Sequence, residues 1–87
     1  MNEKAMNIID SEIEYATGKW EPMDSRPMKD ADKPVEFWLT FIRVYLRKAE
    51  DVCYGTDKTV AMDNIRKIAG LCVRCIEHNP FARERME

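Results

Sequence analysis

No apolar run in this sequence approaches the roughly 18 residues of a membrane span, and residues 1–18 carry acids and no signal-peptide core. Both absences lead us to expect a cytoplasmic protein with no membrane partner. Glycine is scarce, limited to Gly18, Gly55 and Gly70, so the chain has no glycine-rich loop to cradle a phosphate. Histidine occurs once, as His78, and no serine or cysteine is arranged beside it as a nucleophile. Neither charge sign dominates: 14 basic residues face 16 acidic ones, a formal net charge of -2, which argues against a general nucleic-acid binder. The cysteines number three, an odd count that fits reduced thiols better than a disulfide framework.

What is present is helical periodicity in a short chain. The 87 residues and 10.2 kDa predict one helical domain over 1–87, and a domain of this size buries only about 60% of its unfolded surface. Ala5, Met6, Ile8, Ile9, Ile13 and Ala16 predict a first helix over 2–17, capped by Asn2 and closed by Gly18. Residues 19–33 have no period and hold two prolines, so they read as a long loop pinned by Trp20, Met23 and Met28. Contact of that loop with a ligand or partner is the other reading.

A second helix is expected over 34–54, opened by Pro34 and closed by Gly55. Its central stripe is Trp38, Ile42, Tyr45, Ala49, Val52 and Cys53, widened by Phe37, Leu39, Phe41, Val44 and Leu46. A third is expected over 59–79, capped by Thr56 or Asp57 and ended by Asn79 and Pro80. Ile65, Ile68, Ala69, Cys72, Cys75 and Ile76 draw its stripe, flanked by Met62, Leu71 and Val73. Asp63, Arg66, Lys67, Gly70, Arg74, Glu77 and His78 are left for solvent, and Phe81 is the tail residue expected to dock. A glycine on the polar side of a helix costs about 1 kcal/mol against alanine, which marks Gly70 as a point of close approach. The short connection between the second and third helices makes them antiparallel neighbours, and faces this wide predict an oligomer.

Three chemistries have candidate residues on these helices. Cys53, Cys72, Cys75 and His78 form a donor set that suits tetrahedral zinc, but a continuous helix spreads the donors around its circumference, and the thiols read better as small core hydrophobes. A redox role needs the first thiol at a helix N-terminus, and Cys72 stands more than two turns inside. Arg43 and Arg47 on the second helix and Arg66, Lys67 and Arg74 on the third, with Gly70 and Trp20, form the candidate surface for a ligand or partner. As a cationic strip it suits a phosphate-bearing ligand or an acidic partner; as a solvated face it pairs with Glu50, Asp51, Asp63 and Glu77.

The segments WLTFI and IRKIAGLCVRCIEHN, joined by a short turn, resemble the MazG-like all-α nucleotide pyrophosphohydrolases and short phage-encoded proteins of similar layout. The resemblance covers about 34–79 and implies magnesium held by glutamates of one helix and an acidic pair of the next, over a nucleotide triphosphate. This chain has Arg43, Val44 and Arg47 in place of the glutamates, and Asn64 and Lys67 in place of the acidic pair. No catalytic residue carries over.

The sequence therefore predicts an all-α protein of three helices whose second and third form an antiparallel hairpin at the core. The expected function is that of a small non-enzymatic interaction protein, a homo-oligomer that also binds a protein partner, with no cofactor or metal. By analogy with the phage proteins, the resemblance implies a phage-derived host-directed inhibitor as one form it would take. The alternative is a divergent MazG-like nucleotide-binding protein or Mg-dependent pyrophosphohydrolase.

Overall fold

The computed structural model describes residues 1–20 and 32–85, without the side chains of residues 17–20. Its elements are three helices: α1 over Glu3–Trp20, α2 over Val35–Val52 and α3 over Thr59–His78. Among the described residues there is no strand, and no helix is long and apolar enough to cross a membrane. The all-α class and the three elements agree with the sequence expectation.

Helix ends follow from their caps. Asn2 Oδ1 accepts a hydrogen bond from the Ala5 amide at 2.8 Å, satisfying one of the orphan donors of the first turn. Gly18 does not close α1, because the helix continues through it to Trp20. Pro34 sits just outside α2 in extended conformation, φ -72° and ψ 163°, and its carbonyl accepts the Phe37 amide at 3.0 Å. At the other end α2 stops at Val52, whose carbonyl accepts the Gly55 amide at 3.2 Å; Tyr54 lies beyond the helix and is exposed. Asp57 Oδ1 accepts the Thr59 amide at 2.8 Å, so Asp57 rather than Thr56 covers the start of α3. The connection is further tied by Lys58 Nζ, which donates to the Cys53 carbonyl. After α3, Asn79 Oδ1 accepts the Phe81 amide at 2.8 Å, an Asx turn that ends the chain's regular structure.

The three helices do not close into a bundle. α3 packs against both α1 and α2, whereas among the described residues α1 and α2 make no packing contact with each other. The α2–α3 pair is the antiparallel hairpin expected from its short connection, with Trp38 opposite Arg74 and Tyr45 opposite Lys67. Trp38, 1% exposed, anchors it, and Ala49 and Ala61 complete the fully buried apolar set among the described residues.

One side of α3 reverses expectation. Gly70 and Arg74, assigned to solvent by the sequence pattern, are buried, and Asn64 is buried with them. Ile65 and Ile76, assigned to the core stripe, are exposed, as is their neighbour Met62. The physical reason is the pair of neighbours. α2 meets α3 at Lys67 and Arg74, and α1 meets it at Gly70 and Arg66. The two partners therefore occupy the side rich in polar residues and leave Met62, Ile65 and Ile76 outward, while Ile68, Ala69, Cys72 and Cys75 of the stripe are half-buried. Phe81, expected to dock, is 84% exposed.

Candidate functional site

The candidate cations divide into two groups that the fold keeps apart. Arg43 and Arg47 lie on the exposed strip of α2, more than 120° round the helix from the Trp38–Ala49 line that faces α3. Arg66, Lys67, Gly70 and Arg74 lie on the side of α3 that its neighbours cover. The hairpin thus does not unite them in one strip. Trp20 ends α1 and its side chain lies outside the described residues, as do Met23 and Met28.

Each covered cation has a partner. The Arg74 guanidinium stands 5.3 Å from the centre of the Trp38 ring, and Lys33 approaches the same ring at 5.4 Å. Lys67 Nζ lies 5.3 Å from the Tyr45 ring and Lys48 Nζ 5.1 Å from it. A cation over an aromatic face is attracted to the ring quadrupole, by about 2 kcal/mol where water is excluded, as at the 8% exposed Arg74. Long aliphatic stems also cover apolar surface, so these residues act here as packing groups. Arg66 Nε donates to Glu12 Oε2 of α1 at 3.1 Å, and its Nη1 donates to Asp63 Oδ1 at 3.2 Å.

Gly70 fulfils its expectation of close approach. A Cβ built there would stand 3.1 Å from Glu12 Cγ and 3.7 Å from Ile13 Cγ1, so α1 crosses at this glycine. Sequence reasoning missed Glu12 and Asn64. Glu12 had no visible signal, since its partner lies 54 residues away. Asn64 had one: an amide among apolar residues, which satisfies itself by donating from Nδ2 to the Val60 carbonyl at 2.9 Å.

Comparison with family models, with curated proteins and with solved structures finds no match. The site is accordingly read from its own residues. Cys53, Cys72 and Cys75 are free and half-buried rather than core residues, and burial, with the neighbouring Cys75 sulfur second, pushes the Cys72 thiol up from its ordinary value. That leaves Cys72 more protonated and less nucleophilic at neutral pH. Among the described residues no three of the histidine, cysteine, aspartate and glutamate side chains converge to hold a metal ion. Glu50 and Asp51 project from the exposed side of α2, and Asp63 is engaged by Arg66.

What the fold does present is apolar surface. Leu39, Phe41, Val44 and Leu46 on α2 and Met62, Ile65 and Ile76 on α3 are all exposed. An open, shallow groove of about 560 Å³ between α1 and α3 is lined by Glu3, Lys4, Asn7, Ile8, Ser11 and Arg66, mixed in charge.

Proposed function

We propose that this chain is a small interaction protein that assembles with itself and binds a partner protein through its helix faces, and that it performs no catalysis of its own. One observation carries the reading: Met62, Ile65 and Ile76 of the central helix α3 are exposed, while Asn64, Gly70 and Arg74 of the same helix are buried. Monomeric soluble proteins seldom leave a contiguous apolar patch of this kind uncovered. Covering one half-exposed Leu-sized side chain contributes about 1 kcal/mol, so several on one face suffice to offset much of the cost of association.

Light-scattering mass across a micromolar concentration series tests the assembly. A species heavier than the 10.2 kDa chain is expected, shifting toward the chain mass on dilution. A strictly monomeric species at every concentration would remove self-assembly from the reading. A nucleotide panel assayed with magnesium tests the other half: release of pyrophosphate, abolished by Glu50→Gln with Asp63→Asn, would replace it with an enzymatic one.

A further inference from the structure

The outward stripe of α3, exposed at Met62, Ile65 and Ile76 and half-buried at Ala69 and Cys72, has a spacing and a neighbour that say more than its apolarity. Met62, Ile65, Ala69, Cys72 and Ile76 follow steps of three, four, three and four, the period of a coiled-coil seam rather than of a broad amphipathic face. No charged residue interrupts the arc of about 160° that contains them.

Right-handed winding fixes which flank of α2 lies beside that seam. Lys67 with Tyr45 and Arg74 with Trp38 occupy one edge of the hairpin, the edge nearer α1. In antiparallel helices the opposite edge then brings Leu39 and Leu46 of α2 alongside the α3 seam. Leu39, Leu46, Met62, Ile65 and Ile76 are each between 46 and 62% exposed. Large side chains present on the order of 150 to 200 Å² each, so these five offer about 400 to 500 Å², and the small, half-buried Ala69 and Cys72 bring the face to roughly 500 to 600 Å². Two such faces together bury about 1,000 to 1,200 Å², at the lower end of the range for specific interfaces. The charges begin only at the rim, with Arg43 and Glu50 beyond Leu39 and Leu46, and Arg66 beyond Met62.

We infer that this α2–α3 face is where a second copy of the chain docks, as a two-fold dimer. The inference rests on the self-assembly proposed above and assigns it a surface. An uncharged face excludes a partner that must bury an unpaired charge on it, and an identical face meets it with no like-charge penalty. Ala69, midway along the seam, is small enough to let two α3 helices approach closely.

Sedimentation equilibrium of the full chain at 5 to 200 μM, about the range in which an interface of this area associates, tests it against Ile76→Asp, Leu39→Asp and Val44→Asp. Val44 is exposed on α2 well round from the seam side, and so serves as the control. The expected result is a dimer for the parent chain and Val44→Asp, with the dissociation constant raised at least tenfold in Ile76→Asp and Leu39→Asp. Circular dichroism checks each fold; Ile76, 62% exposed, keeps the test intact where Leu39→Asp unfolds. A dimer unaffected by Ile76→Asp, or weakened equally by Val44→Asp, overturns the assigned face while leaving self-assembly standing. A parent chain monomeric throughout the range overturns both.

Discussion

The two interfaces of α3 are built on opposite principles. Against α2, the helix packs on a large aromatic, Trp38, and lays the cationic side chains of Arg74 and Lys67 over rings. Against α1, it offers no side chain at all at the crossing point, Gly70, and adds one ion pair from Arg66 to Glu12. The first draws its stability from burial and ring contact; the second draws it from backbone proximity. The contrast shows how a helix can bury part of its polar side against two neighbours and leave apolar side chains, Met62, Ile65 and Ile76, exposed.

Breaking the first interface has the largest expected effect. Trp38→Ala removes the most buried large side chain and leaves Arg74 without its ring, a loss of about 3 to 5 kcal/mol. In so small a domain that consumes much of the total stability, and thermal unfolding followed by circular dichroism is expected to show a broad, low-temperature transition. Retention of a sharp cooperative transition near that of the parent would mean that the hairpin does not depend on this ring.

Gly70→Leu should break the second interface alone. A Cβ already meets Glu12 Cγ at 3.1 Å, and three further carbons have no space unless α1 lifts. Overpacking of this kind costs about 1 to 3 kcal/mol. Hydrogen exchange separates the outcomes: α1 amides should lose protection while those of α2 and α3 keep theirs. Uniform loss across all three helices would show that α1 docking and the hairpin are one cooperative unit.

These two sites also show what was legible in the sequence. Helix number, the antiparallel hairpin and the Trp38–Tyr45–Ala49 line follow from local periodicity and a short connection, both contained within a few turns of chain. Gly70 was legible too, because a glycine on a helix surface carries a cost that only a close neighbour explains. The direction of α3 was not. A wheel shows which side is apolar, and the usual inference that the apolar side is inward presumes partners broad enough to cover it. Here α2 and α1 take the sides carrying Lys67, Arg74, Gly70 and Arg66, helped by aliphatic stems that hide their charges. Glu12 was invisible because its role depends on a residue far along the chain. The candidate cations were recognised as a group, but the solvated face on which they were expected to lie depends on that same direction.

A double-mutant cycle on Glu12→Gln and Arg66→Met sharpens the second interface further. Glu12 is largely covered and Arg66 partly so, hence a coupling of about 0.5 to 1 kcal/mol is expected, reduced by added salt. A coupling indistinguishable from zero at low salt would assign the docking of α1 to Gly70 and its apolar neighbours alone.

The smallest expected effect lies outside both interfaces, at the start of α3. Asp57 accepts hydrogen bonds from the Thr59 side chain and amide, which hold its carboxyl below the usual carboxylate range. A carboxylate whose folded pKa is depressed favours the folded state above its unfolded pKa and loses that contribution as pH falls through the folded value. Asp57→Asn keeps an acceptor for the Thr59 amide and removes the titration. The thermal midpoint of the parent should therefore drop slightly more steeply than that of the variant as pH is lowered from about 5 to 3. Since Asp57 is fully exposed, the difference should be small and shrink in salt. Superimposable pH profiles would mean that the helix start is held by the Lys58 and Thr59 backbone without help from the carboxylate charge.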